Sequence, residues 1–445
     1  MNPKHLEDLL TYLRFKSVST DSECAGDVRK CADWLVEKLN RIGLRASLHE
    51  TPRHPVVIAK NEHQPGRKTV LIYGHYDVQP AAMEDGWDTE PFEPVVDEDR
   101  GMIFARGATD NKGQNLAHIL GMQESLEDGG LPPLNVTILL EGEEEIGSPN
   151  LEPFLREHRD ELACDVVAVS DTGMVSPGMG TLTYGLRGIA CLEFKVRGPS
   201  EDLHSGVFGG AVVNPATAAA RLIGSLHGAD WRVAIDGFYD RVEPLADWER
   251  KAWATLPGGE EETKSITGVG ILDGEKGYTE LEQRWARPTA EVNGMGSGYQ
   301  GEGSKTIVPR EAMAKLSFRL VPDQEPDEIL ELAEAHLKKH CPPGVDLEIE
   351  RGHAGPPYVI DPNSDYGLAA QQALRETFGG ELALIREGGS IPIVQSFKDI
   401  LGADTLLLGL ALPDCQIHAA NENFYLESFT SGIKLNRVLL KELSC

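Results

Sequence analysis

"TVLIYGHYDVQP", residues 69–80, decides the fold. Its first seven residues are an apolar run that stops at His75. A short apolar run bounded by turn residues reads as a strand covered on both faces, the form that parallel sheets require. Residues i and i+2 of a strand point to one side, so His75 and Asp77 are expected to face the same way at the strand's carboxyl end. Two more runs, "NVTILLEG" (135–142) and "DVVAVSD" (165–171), have the same form, and each leads into carboxylates. Helical patterns "VRKCADWLVEKLNRIG" (28–43) and "NKGQNLAHILGMQESL" (111–126) alternate with them. This alternation predicts an α/β domain with a mostly parallel sheet flanked by helices.

From 187 the pattern changes. Strand "GIACLEFKVRG" (188–198), helix "NPATAAARLIGSLH" (214–227), a strand near 289–295, strand "AMAKLSFRLVP" (312–322), helix "PDEILELAEAHLKKH" (326–340) and strand "VDLEIERGH" (345–353) follow in turn. The order β-α-β-β-α-β predicts an inserted ferredoxin-like α+β domain over 187–360. Within it, 229–287 is a Trp- and charge-rich insertion of mixed helix and loop. The α/β style then returns with "YGLAAQQALRETFG" (366–379), "TLLLGLAL" (405–412) and "SFTSGIKLNRVLLKEL" (428–443). The expected division is therefore 1–186 with 361–445 as one domain and 187–360 as the other.

Composition excludes several classes. The chain has 445 residues, with 42 Lys and Arg against 71 Asp and Glu, a net charge of -29. That excess repels phosphate backbones and anionic membranes, so neither nucleic acid nor membrane is an expected partner. The N-terminus reads as a short amphipathic helix, and no apolar window is long enough to span a bilayer. Seven cysteines without CxxC spacing fit reduced thiols, which together point to a cytoplasmic protein.

An open parallel sheet places ligands outside the carboxyl ends of its strands. At those ends stand His75 and Asp77, Asp110 in "ARGATDNKGQ", Glu143, Glu144 and Glu145 in "LLEGEEEIGS", Asp171, and late in the chain His418 in "DCQIHAANE". Taken singly, an Asp that opens a helix is usually a cap, a Glu run usually a solvated face, and a lone His usually a buried, satisfied side chain. Together they form a ligand set for zinc or a hard cation, because carboxylates converging on one edge repel unless a cation compensates them. A phosphate loop is not supported: "GYQGEGSKT" (298–306) has Ser304 between Gly303 and Lys305 and precedes a strand, where that motif requires a helix.

"GHYDVQP", "RGATDNKG", "EGEEEIGS", "VSDTG", "DLHSGVFGG", "REGGSIP" and "IHAANE" together resemble the carnosinase-like dipeptidase branch of the aminoacylase and carboxypeptidase family of two-metal peptidases. The resemblance implies that His75 and Asp171 hold one divalent ion, Glu145 and His418 a second, and that Asp110 bridges them, with zinc ahead of manganese. Asp77 then orients His75 by accepting its other ring N–H. Glu144 is similar to the family's general base, which takes a proton from a water between the ions and passes it to the leaving amine. His204 resembles a donor to the tetrahedral oxyanion, and Arg319 a two-pronged holder of the substrate's C-terminal carboxylate. Thr306, His353 and Ser390 resemble further substrate contacts. The implied activity is hydrolysis of dipeptides or short peptides with a free C-terminal carboxylate. N-acyl amino acid deacylation is the rival within the family, and a nonenzymatic metal-binding protein the rival outside it. The resemblance also implies a cis peptide between Asp110 and Asn111. Finally, it implies a homodimer through the inserted lid and dimerisation domain, with His204 and Thr306 reaching the partner's metal site.

Overall fold

The computed structural model describes residues 2–445, with Pro392 by its backbone alone. Two compact units emerge. One comprises the chain through Tyr184 with Ile360–Ile385 and Ile393–Cys445; the other comprises Gly185–Val359 with Arg386–Pro392. The second boundary differs from the expected simple return at 361. "REGGSIP" groups with the inserted unit because its backbone and side chains bond there: Arg187 donates to the Gly388 carbonyl, and Arg386 is hydrogen-bonded to Glu249.

The first unit is built on one twisted sheet. Seven of its nine strands run in the order Arg45–His49, Val56–Lys60, Asn135–Glu141, Thr69–His75, Val166–Val169, Asp404–Gly409 and Gly180–Leu186; Tyr358–Val359 and Leu382–Glu387 both pair with the last. The four strands from Asn135–Glu141 to Asp404–Gly409 run parallel. The flanking strands are antiparallel. Every residue of Asn135–Glu141 and of Val166–Val169 is buried, as expected of strands covered on both faces. Helix Lys112–Glu127 packs against helix Leu426–Leu443, which in turn packs on Asp365–Phe378. A Cβ on Gly74 would meet the Asn115 Cβ at 2.7 Å, so glycine there lets helix Lys112–Glu127 approach the strand that carries His75.

The second unit is a four-stranded antiparallel sheet in the order Thr289–Ser297, Glu311–Leu320, Gly188–Arg197, Asp346–Gly355. Helices Pro215–Gly224 and Pro326–His340 cover one face. Alternation sets that face: Ala190, Leu192, Phe194 and Val196 pack with Ala314, Leu316 and Phe318 under the helices. The insertion forms the short helices Asp247–Trp253, Glu260–Thr267 and Glu280–Ala286, joined by loops. Residues 298–306 lead into the two-residue strand Ile307–Val308, not a helix.

Candidate metal centre

The parallel strands deliver the polar residues to one edge. Thr69–His75 ends at His75, Asn135–Glu141 leads through Gly142 into the glutamates, and Val166–Val169 leads to Asp171. Asp110 immediately precedes helix Lys112–Glu127 and is joined to Asn111 by a cis peptide bond. His418 lies on a loop where Gln416, His418 and Asn421 all take left-handed φ values between 55° and 63°. The Asn423 N–H closes that loop on the Cys415 carbonyl at 3.0 Å.

Two groups result. His75, Asp110 and Asp171 form one, and Asp110, Glu145 and His418 the other, with ligand atoms in each group within 4.8 Å of one another. Asp110 belongs to both. Its Oδ1 is 3.1 Å from His75 Nε2, and its Oδ2 is 2.9 Å from His418 Nε2. His75 Nε2 is 3.7 Å from Asp171 Oδ2, and His418 Nε2 is 3.3 Å from Glu145 Oε2. This donor set of imidazole nitrogen and carboxylate oxygen suits zinc and neighbouring divalent ions. A carboxylate facing both groups with different oxygens has the form of a bridge.

Asp77 is fully buried but does more than expected. The strand ends at His75, so Asp77 is not held by strand geometry. His75 Nδ1 lies 3.1 Å from the Asp77 backbone carbonyl and 3.4 Å from its Oδ1. The carboxylate accepts the backbone N–H groups of Glu144 at 3.2 Å and Glu145 at 3.1 Å. Asp77 therefore ties the histidine of one group to the backbone of the glutamate in the other.

The glutamate run is not a solvated face. Glu141 accepts from the Tyr73 hydroxyl at 2.6 Å and from Ser148 at 2.8 Å, and burial pushes its carboxyl up to about 8. Glu143 accepts from His54 N–H, Thr51 and Asn150. Gln79 donates to Glu145 Oε2 at 2.7 Å. Sequence reasoning also missed the groups that hold the ligand loops. Glu422, within the "IHAANE" motif and fully buried, accepts the N–H groups of Gly107, Thr109 and Asp110 at 2.9–3.0 Å and pairs with Arg106 at 2.7 Å. Asn111 donates to Asp171 Oδ1 at 2.7 Å, and Asn115 to the His75 carbonyl at 2.6 Å. Such residues fix ligand orientation, yet an Asn or Glu beside a ligand motif carries no distinct sequence signal.

Electrostatics follow from the crowding. Burial pushes the Glu144 carboxyl well above the usual range; Asp171, Asp110 and Glu145 add to this while His75 opposes it. Burial raises Glu145 and Asp171 too, with the neighbouring histidines opposing. Burial works against a charge on His75, but its bonds to Asp110, Asp171 and Asp77 outweigh that and raise it. Bonds to Asp110 and Glu145 raise His418 to about 10.

The other sequence-selected residues lie in the second unit. His204 and Thr306 are near neighbours, since His204 pairs with Ile307 and the Ser205 N–H donates to the Thr306 carbonyl. His204 Nδ1 accepts the Gly206 N–H at 3.0 Å, which leaves the ring proton on Nε2 when the imidazole is neutral. Arg319 Nη1 is 3.5 Å from Ser390 Oγ, and His353 Nε2 is 3.5 Å from Cys191 Sγ.

Residues 71–442 match the model of peptidase family M20/M25/M40. The chain is 32% identical over its whole length to the Cys-Gly metallodipeptidase DUG1 of Saccharomyces cerevisiae, covering 96% of that protein. Its structure resembles the M20 family metallo-carboxypeptidase Sso-CP2 of Sulfolobus solfataricus with a TM-score of 0.87 at 33% identity, each chain covered completely. It resembles human carnosine dipeptidase 1 with a TM-score of 0.83 at 27% identity, covering 99% of this chain and 96% of that one. With a ligand set of this geometry and matches of this extent, the chain belongs to peptidase family M20/M25/M40 and is a metallopeptidase.

Proposed function

We propose that the chain is a dipeptidase that cleaves dipeptides bearing a free C-terminal carboxylate, with two divalent ions, zinc ahead of manganese. The observation that carries this reading is that Asp110 faces two ligand groups with its two oxygens. His75 and Asp171 would hold one ion, Glu145 and His418 the other, with Asp110 between them. Bound there, the ions supply Lewis-acid polarisation of the scissile carbonyl and a water acidic enough to ionise near neutral pH. Glu144 holds the proton at its carboxylate and gives it to the departing amine nitrogen. Asp77 fixes both His75 and the backbone beneath Glu144. His204 Nε2–H donates to the developing oxyanion, and Arg319 with Ser390 holds the substrate carboxylate, Thr306 and His353 adding further contacts.

The same reading includes a homodimer through the second unit. Its edge strand Thr289–Ser297 exposes Val292 and Met295, a surface open to a second copy. His204 and Thr306 would then serve the partner's centre. Seven unpaired cysteines support a cytoplasmic location.

A panel of dipeptides and N-acetyl amino acids tests the reading. Metal-reconstituted protein is expected to release amino acids from dipeptides, and chelation to abolish the activity. Preference for the acylated amino acids would replace the dipeptidase with a deacylase. Full activity in chelator would overturn the two-ion reading.

A further inference from the structure

The insertion walls a cavity of about 440 Å³ in the second unit, lined on the sheet side by Arg187, Glu291 and Arg319 and on the insertion side by Trp231, Glu275 and Arg284. Most arginines of this region are neutralised. Arg287 closes both prongs of its guanidinium on Glu275 at 2.7 and 2.8 Å, and Arg284 pairs with Glu280. Arg187 and Arg319 have no carboxylate within ion-pair distance among the described residues. Among the described residues the Arg187 guanidinium donates to the Gly388 and Arg287 carbonyls, both at 3.3 Å, and that of Arg319 to Ser390 at 3.5 Å. Burial lowers Arg187 to about 10, and the like charges of Arg319 and Arg284 lower it further while Glu291 on the same cavity opposes them. Two neighbouring guanidiniums with donors to spare on one cavity are matched by a carboxylate, which can accept from both. Trp231 is half exposed, its indole N–H tied to Asp273 at 2.9 Å and its ring set edge-on to His227 with centroids 6.0 Å apart. This leaves a fixed aromatic wall on the same cavity.

We propose that Arg187 is a second anchor, beside Arg319, for the substrate's C-terminal carboxylate, and that Trp231 with His227 forms the wall against which a flat C-terminal side chain lies. The 229–287 insertion thus sets preference on the C-terminal side of the scissile bond. The proposal rests on the dipeptidase reading, and its test separates the two.

Kinetics with Ala-Phe, Ala-Phe-amide and Ala-Gly on wild type, Arg187→Met, Arg187→Lys and Trp231→Ala read the subsite. Arg187→Met is expected to lower the acid-to-amide ratio of kcat/KM about 10-fold or more, the usual effect of removing one hydrogen-bonded charge. Arg187→Lys, with the charge but not the fork, falls between. Trp231→Ala is expected to lower the Phe-to-Gly ratio of kcat/KM several-fold. If Arg187 only clamps the Gly388 loop, acid and amide fall together and the proposal is overturned; an unchanged Phe-to-Gly ratio overturns the aromatic wall. Calorimetric binding of phenylalanine against phenylalaninamide needs no turnover. Arg187-dependent preference for phenylalanine in a protein that cleaves no dipeptide would sustain the subsite and remove the dipeptidase reading. Turnover of dipeptides with both ratios intact would do the reverse.

Discussion

In the α/β unit five carboxylates, Asp77, Asp110, Glu144, Glu145 and Asp171, crowd around two imidazoles. In the second unit two guanidiniums, Arg187 and Arg319, share a cavity without a carboxylate partner of their own. The centre has a clear negative excess; the cavity sets four arginines, Arg187, Arg284, Arg287 and Arg319, against three carboxylates, Asp273, Glu275 and Glu291, a slight positive excess. Like charges held together in low dielectric are costly, and the cost is offset by a ligand of the other sign. The difference teaches a division of labour. On the proposed reading the negative centre takes cations and moves protons, and the arginine pair of the cavity takes the carboxylate of a substrate. Variants in the first should change turnover or metal content, and variants in the second should change substrate affinity.

The sharpest break of that division is Glu144→Gln. Glutamine keeps the shape but cannot hold the proton, so kcat is expected to fall about 100-fold or more while two ions per chain remain bound. Metal analysis beside kinetics decides it. Loss of an ion would assign Glu144, not Glu145, to the ligand set.

Arg319→Met probes the other side. Its expected effect is a drop of about 10- to 100-fold in kcat/KM for dipeptides, carried by KM, with metal content unaltered. A fall in kcat alone would place Arg319 with the centre and erase the contrast.

How these regions were legible differs as well. The parallel strands and the helices between them announce themselves by apolar runs and periodicity; of the candidate ligands, His75, Glu145 and Asp171 stand at or just past strand ends, where chain direction places them, whereas Asp110 and His418 sit on loops. The antiparallel strands Arg45–His49, Val56–Lys60 and Gly180–Leu186 have weaker patterns; Arg45–His49 is largely half-exposed and mixed in polarity. The four carboxylates of "EGEEEIGS" look alike in sequence. In space Glu141 and Glu143 are bonded to Tyr73, Ser148, Thr51, His54 and Asn150, and only Glu144 and Glu145 face the centre. Glu422 holds the Asp110 loop through contacts more than 300 positions apart, a pairing no local pattern encodes. The cavity of the second unit joins Arg187, Arg319 and an insertion outside every motif, so its composition became visible only when the chain was folded.

A smaller effect is expected from Asp77→Asn. The carboxylate accepts two backbone N–H groups with two oxygens. An amide offers one oxygen and turns an N–H₂ donor toward the other N–H. The Glu144–Glu145 backbone then shifts and His75 loses charge support, with metal affinity falling about 10-fold on the precedent of groups that orient ligands. Titration with a competing chelator measures it; unchanged affinity would reduce Asp77 to a structural bond.

The last test concerns protons. In the metal-free protein Asp110 and Glu145 hold His418 up to about 10, and the carboxylates around His75 raise it as well. His418 is then charged at pH 7.5 and His75 is held toward its charged form, and an imidazolium has no lone pair for a metal. Loading the centre must therefore release protons, and apparent metal affinity must rise with pH, by about ten-fold per unit for each proton released. The cavity of the second unit behaves differently, because an arginine lowered only to about 10 stays charged at pH 7.5. Carboxylate binding there needs no proton exchange. Calorimetry in buffers of different ionisation enthalpy reads both at one pH: at least one proton released per chain on zinc loading, none on phenylalanine binding. Zinc loading without proton release would mean that the two histidines are already neutral, and that the carboxylates of the centre are balanced by their own protonation instead of by the imidazoles they face.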